Sequence, residues 1–391
     1  MPRPTLVPGL RRIWRDARTV QLGTHPTRAY LLDLPDPSAA ALLDLLDGSR
    51  PERTILRHAA ALGVPVKDAL ALLDGLREAG LVLPAPALYP AALDEDTRHR
   101  LSSEAAAIAL RPLPPLPPAT SAADPVAPAV VLRRRRAARV TVTGRGRLAA
   151  GIAVALAEAG VGHVHADVPG AVTHHDRPGS PLRDADLGRP RAEAIGAAIR
   201  RAAPTAETRP VRRGGASLVV QLEYDQPVAL LAAGYAQRRQ PYLPVTIREA
   251  VPVIGPLVRA PGGPCLNCVD LHRRDRETRI LDGSTAASSP ATADNTGWAH
   301  PRPGSAEAEP CAVSTLLAAT GYAAGEVLAF IDGDPSTAFG AEIEISAPGR
   351  VRRRSWTSHP ACFCMPGWSS PRSPRAGPPL PSGRSAISRS Q

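Results

Sequence analysis

Lysine is almost missing from this chain: Lys67 is the single one among 47 basic residues. Aromatic side chains make up only 3% of the sequence, and there are five cysteines. No run approaches about eighteen uninterrupted apolar residues, and Met1-Pro2-Arg3-Pro4 lacks the basic-then-apolar order of a secretion signal. No membrane span is therefore expected, and the compartment expected is the cytoplasm. The missing lysine also decides how to read the formal net charge of +11, because that charge is carried by arginines spread along the chain. Together with the excess of alanine and the 44 prolines, this reads as the codon usage of a GC-rich genome, so nucleic acid is not an expected partner. Few cysteines in a cytosolic chain argue against structural disulfides. What remains is 43% hydrophobic over 391 residues, enough for ordinary cores and two or three domains.

Residues 1–90 read as a small α+β domain. Extended runs at 19–23 and 28–32 flank a Thr-His-Pro turn and predict a hairpin. Helical spacing then predicts three helices, at about 39–46 with Ser38 as cap, from Pro51 to about residue 62, and at 65–79, before a short strand at 81–83. A hairpin, three helices and a closing strand make a winged-helix-like pattern. Residues 91–131 are Pro-rich and expected as a linker, although 94–110 could be helical. The run Arg133-Arg134-Arg135-Arg136 is expected as a solvated entrance to the next strand rather than a phosphate contact.

From Val140 the pattern turns to β-α-β: a strand, then Gly144-Arg145-Gly146-Arg147-Leu148-Ala149, a helix to about residue 159, and a second strand ending in Asp167. This is the relaxed form of a dinucleotide-binding fingerprint. Gly144 and Gly146 allow a tight turn and close approach to a phosphate, the helix start offers unpaired amides, and Asp167 can accept from a ribose. Further strands are expected at 217–222 and 243–247 with a helix near 227–237 between them, then a mobile crossover loop at 279–309, a helix at 311–331 and an antiparallel pair at 341–346 and 350–356. The last 27 residues, 365–391, are expected to be disordered. Four of the five cysteines fall in two close pairs, Cys265 with Cys268 and Cys362 with Cys364. Two thiolate pairs at turns suit tetrahedral zinc, with His359 as a reserve ligand, and four sulfurs leave no open position for catalysis. Such a metal would pin the C-terminal strands to the Rossmann-like layer.

In this order, the glycine loop, Asp167, Gly188-Arg189-Pro190-Arg191-Ala192-Glu193-Ala194, Asp225, Gly255-Pro256-Leu257-Val258, Pro264-Cys265-x-x-Cys268 and the late cysteine pair, the chain resembles the ThiF/MoeB/HesA family of ubiquitin-activating-like adenylyltransferases over about residues 132–364. The resemblance implies a Rossmann-like, mostly parallel sheet, ATP and Mg binding, and attack of a C-terminal carboxylate on the α-phosphate to give an acyl-adenylate and pyrophosphate. It places the phosphates at Gly144 and Gly146, the ribose at Asp167 and magnesium at Asp225. Arg191 stands where the family usually has a lysine, and Pro169 takes the place of its second acid. Arg177 or Arg183 is the nearest substitute for an arginine the family carries after the second strand.

The N-terminal part, with Leu45-Leu46-Asp47-Gly48, looks like the leader-peptide-binding partner proteins of azoline-forming cyclodehydratase systems. That resemblance implies capture of a precursor peptide's leader as an added strand, at an edge around 20–22 and 30–32, and its presentation to a partner modification enzyme. A small ubiquitin-like protein is the other expected partner, and a homodimer one possible assembly. Two other readings stay open, an NAD-dependent oxidoreductase on the same glycine loop and a winged-helix DNA-binding protein with a ligand-sensing α/β domain. The first lacks a companion motif for His272 or His300. The second is opposed by the third helix, which carries Lys67, Asp68, Asp74, Arg77 and Glu78 and so offers no basic recognition face. Cys311, at a predicted helix start, is read as a packed small residue rather than a nucleophile.

Overall fold

The computed structural model describes residues 3–26, 29–34, 36–111, 126–212, 215–259, 262–283 and 309–364. The chain opens with four short strands, β1 (Pro4–Leu6), β2 (Arg12–Trp14), β3 (Thr19–Leu22) and β4 (Tyr30–Asp33). A 3-10 helix (Pro37–Leu45), α1 (Glu52–Ala61), α2 (Val66–Glu78) and β5 (Val82–Pro84) follow. The expected hairpin pairs Thr19 with Asp33 through Leu22 with Tyr30. Ile55 and Ala59 on α1 and Ala69, Leu73 and Leu76 on α2 recur at helical spacing, so each helix buries one stripe, against Val20, Leu22 and Leu32 of the sheet. The first helix is 3-10 rather than α, and Asp36, not Ser38, caps it by accepting from the Ser38 amide at 2.7 Å. The exposed edge also differs from the sequence expectation. Strand β2, too short and exposed to show an alternating pattern, pairs with β3 and makes it the central strand of three, so among the described residues the sheet's edges are β2 and β4.

The stretch expected as linker is largely folded. It carries α3 (Ala85–Leu88) at its entrance, then α4 (Glu95–Arg100) and α5 (Ser102–Ala109), and it ends in α6 (Pro128–Ala137). Leu88, Leu93, Leu101, Ala105, Ile108, Val131 and Leu132 form a cluster of their own. Residues 112–125, with the densest prolines, and the expected tail at 365–391 lie outside the described residues. The four arginines end α6 instead of entering a strand, and Arg135 is only 1% exposed. Its guanidinium donates from Nε and Nη2 to both oxygens of buried Asp332 (2.9 and 2.8 Å), and from Nη1 to Glu104 (2.7 Å) and the Ala159 carbonyl (3.0 Å). This planar fork joins the helical segment to the α/β layer in a way no solvated charge could.

The α/β layer runs β6 (Arg139–Thr143), α7 (Leu148–Glu158), β7 (His163–Asp167), α8 (Arg191–Ala202), β8 (Leu218–Gln221), α9 (Val228–Gln237), β9 (Tyr242–Arg248), β10 (Val251–Ile254), α10 (Leu266–Gly283), α11 (Val313–Asp332), β11 (Ala341–Ala347) and β12 (Arg350–Ser355). The seven strands lie in the order β12-β11-β10-β9-β8-β6-β7. The four from β9 to β7 are parallel, and three antiparallel strands extend the sheet on the β9 side. All four residues of β8 are buried, as a central parallel strand covered on both faces requires. The crossover loop begins later than expected, because α10 continues to Gly283, and residues 284–308 lie outside the described residues. By length and composition α11 could cross a membrane, but it packs on the sheet with Leu316, Ala319, Ala323 and Val327 in the core and with Glu326 and Asp332 buried.

Candidate functional site: a glycine loop and a four-cysteine centre

Three strand ends meet at one edge of the layer. The chain passes from β6 outward to β7 and then returns to place β8 on the other side of β6, so the strand order reverses between β6 and β8. In open α/β sheets, ligands bind in the crevice at such a reversal, beyond the carboxyl ends of the strands. The glycine loop leaves β6 there. Gly144 has φ +101°, and a Cβ added to it would lie 2.5 Å from the Glu223 carbonyl oxygen. Glycine is thus required by the backbone of the β8 exit, independently of any ligand. Gly146 has φ +135°, and its missing Cβ would lie 3.1 Å from a carboxylate oxygen of Glu309.

Asp167 ends β7, where its carbonyl accepts from the Gly144 amide at 3.3 Å and its carboxylate from Thr143 Oγ1 at 3.4 Å. Asp225 lies beyond β8 and is ion-paired with Arg145 of the loop. Arg191 opens α8, donates to Asp176 from Nε and Nη2 (3.2 and 3.1 Å) and reaches the Pro169 carbonyl at 3.3 Å. Of the substitutes for the displaced arginine, Arg177 is ion-paired with Asp184, while the Arg183 backbone amide donates to the Asp186 carboxylate at 3.0 Å.

Three groups that the sequence reading passed over complete the edge. Arg147 donates from Nη1 to the carbonyls of Glu309 (3.1 Å) and Cys311 (3.2 Å) and from Nη2 to that of Pro178 (3.3 Å). Its backbone amide, at the start of α7, donates to the Glu309 carboxylate at 2.9 Å. Glu309 is also hydrogen-bonded to Glu223, and burial together with this second carboxyl pushes Glu223 up to about 7. Arg145 and Arg147 were visible as the residues interleaved with the glycines. Glu309 carried no local signal, being 162 residues from the amide it meets. Among the described residues, the Nε atoms of Arg147 and Arg177 are buried without a hydrogen-bond partner. Cys311 precedes α11 and is half-buried, and burial pushes its thiol up, against the lowering a helix start would give.

The cysteine pairs meet as expected. Cys265 and Cys268 come from the start of α10, Cys362 and Cys364 from the chain after β12, and all four sulfurs lie within 4.8 Å of one another. The closest approaches are 3.3 Å (Cys268 to Cys364), 3.5 Å (Cys265 to Cys362) and 3.7 Å (Cys265 to Cys268). Zinc–sulfur bonds of about 2.3 Å give a tetrahedron with edges of about 3.8 Å, so the donor set fits a closed metal centre. Hydrogen bonds from neighbouring thiols lower Cys268 to about 6, and Cys362 is lowered by the same cause. Asn267 Nδ2 supports the set from outside, 3.2 Å from the Cys362 sulfur. His359 is not a ligand: its Nε2 meets Asp275 at 2.9 Å, and its Nδ1 accepts from the Ala361 amide.

The sequence matches no protein-family model. It matches no curated protein either. Its fold does match solved structures. MccB of E. coli with ATP is 12% identical, with a TM-score of 0.56 over 92% of this chain and 99% of that one. The microcin C7 biosynthetic enzyme MccB in complex with N-formylated MccA is 14% identical, with a TM-score of 0.54 over 92% and 99%. PaaA is 15% identical, with a TM-score of 0.58 over 89% and 99%. At these identities the likeness establishes the fold, and its coverage takes in the N-terminal part as well as the α/β layer.

Proposed function

We propose that this chain binds ATP at the loop from Gly144 to Arg147 and activates the carboxylate of a peptide or small protein held by its N-terminal part. The observation that carries the reading is the convergence of the glycine loop, Asp167 and Asp225 at the ends of adjacent parallel strands, at the point where strand order reverses. The fold is shared with MccB, whose structures include complexes with ATP, with AMPCPP and with MccA.

In this reading the α7 amides and Gly146 receive phosphate oxygens, and Asp167 takes the ribose hydroxyls. Arg145, Arg147 and Arg191 supply the positive charge that a phosphoryl transfer needs. Asp225, exposed at the loop mouth, is of the donor type magnesium takes alongside phosphates and water. A carboxylate oxygen of the bound chain attacks the α-phosphorus, the bond to the β-phosphate oxygen breaks, and pyrophosphate leaves. The four-cysteine centre holds zinc and fixes the chain after β12 against α10, with no open position for substrate. The peptide docks as an added strand on β4, the edge that presents Leu31 at 60% exposure. A partner modification enzyme then uses the activated or presented chain.

The test is consumption of ATP with a panel of candidate peptides, each prepared with a free and an amidated C-terminus. Pyrophosphate release with the free form and none with the amide is the expected result. Equal release from both would remove the carboxylate from the reaction.

A further inference from the structure

The helix-start amide that this reading assigns to phosphate already holds an anion, and that anion belongs to the chain. Glu309 Oε2 accepts from the Arg147 amide at 2.9 Å, and the carboxylate lies against the bare face of Gly146. Its main chain is clamped at the same place, because Arg147 Nη1 donates to the Glu309 carbonyl at 3.1 Å and to the Cys311 carbonyl at 3.2 Å. One arginine residue therefore binds Glu309 from both its backbone and its side chain, and the position follows from that geometry rather than from a chance surface contact.

A carboxylate offers the same two-oxygen, negatively charged face to an amide as a phosphate does, with fewer oxygens. The fit here is partial. Arg147 Nε remains buried without an acceptor among the described residues. Burial raises Glu309 and Asp176 adds repulsion, while the Arg147 amide and charge and the hydrogen bond shared with Glu223 favour its carboxylate. A buried carboxylate beside Asp176 is held by the Arg147 amide, the Arg147 charge and the Glu223 hydrogen bond, so a ligand with more oxygens that takes the amide and the arginine can displace it.

We propose that Glu309 is a built-in occupant of the glycine loop, an autoinhibitory contact that takes the place of a nucleotide phosphate until ATP displaces it. The proposal rests on the ATP reading of the loop and adds its regulation. A site whose open state is a minor population binds its ligand more weakly by that fraction. Opposing one charge-assisted hydrogen bond corresponds to a factor of about ten to a hundred.

The experiment measures binding of ATP with magnesium, and separately of inorganic pyrophosphate, to the full chain as wild type, Glu309→Ala, Glu309→Gln and Asp167→Ala, with thermal melting of each as a fold control. Glu309→Ala is expected to bind both anions about tenfold or more tightly than wild type, and Glu309→Gln to fall between. Asp167→Ala should weaken ATP and leave pyrophosphate unchanged. Wild type that binds ATP while folded Glu309→Ala binds it no more tightly overturns the plug and leaves the nucleotide site standing. Absence of ATP binding in both at millimolar concentration overturns the nucleotide reading and the plug with it. Should Glu309→Ala not fold, folded Glu309→Gln binding no more tightly than wild type is the contradicting result.

Discussion

Replacing Arg135 by methionine tests how the helical segment is joined to the α/β layer. The change deletes four hydrogen bonds, two of them to an aspartate that is itself only 4% exposed. Removing one partner of a buried ion pair typically costs about 3–5 kcal/mol, because the remaining charge is stranded. Here Arg111 lies 3.6 Å from Asp332 and can recover part of the loss, which puts the expectation at the low end, about 3 kcal/mol. At about 1–2 °C per kcal/mol for a chain of 391 residues, the melting temperature should fall by about 3–6 °C. The double variant Arg135→Met with Asp332→Leu removes both charges, and it should recover more than half of that drop. Melting curves at two scan rates, with urea unfolding as a second measure, decide it. A drop below about 2 °C, or a double variant no better than the single one, would refute the picture of a buried, mutually dependent pair.

The remaining predictions concern the sites. The purified chain should carry about one zinc per molecule by elemental analysis, and Cys362→Ser should lose the metal and melt lower; full zinc content in that variant would contradict a four-sulfur centre. Glu223 is raised from an ordinary carboxyl value to about 7, so the folded state holds a proton there that the unfolded chain has released. That contribution to stability is complete below about pH 4.5 and is lost as pH rises toward 7, so the melting-temperature advantage of Glu223→Gln over wild type should grow between pH 5 and 8. A pH-independent difference would mean that Glu223 titrates normally. On the N-terminal sheet, Leu31→Glu should weaken binding of a cognate peptide about tenfold or more, measured by fluorescence anisotropy, with ATP binding unchanged. Loss of both, or of neither, would move the docking site elsewhere.

The parts that were legible in the sequence are those where local pattern and tertiary role agree. The strand at 218–221 opens with three apolar residues and is buried throughout because both faces of the sheet are covered there, and α1 and α2 show one stripe each because only one face is buried. The cysteine pairs stood out because thiols are scarce in the chain and spaced as ligands. The misreadings have a common cause, which is that long-range pairing leaves no local trace. Four consecutive arginines look solvated until Asp332, 197 residues away, is found beside the third. Strand β2 is three residues long and exposed, so nothing marked β3 as central. Glu309 reaches the loop from beyond the crossover, and the apolar spacing that locates helices says nothing about a single glutamate before one.

The most direct test of the central claim is isotope exchange between pyrophosphate and ATP, run with the full chain and a cognate peptide ending in a free carboxylate. The account predicts exchange that depends on the peptide, is lost in Asp225→Asn and is retained in Cys311→Ala. Exchange unaffected by Asp225→Asn, or no exchange with any peptide alongside slow reduction of NAD, would contradict it.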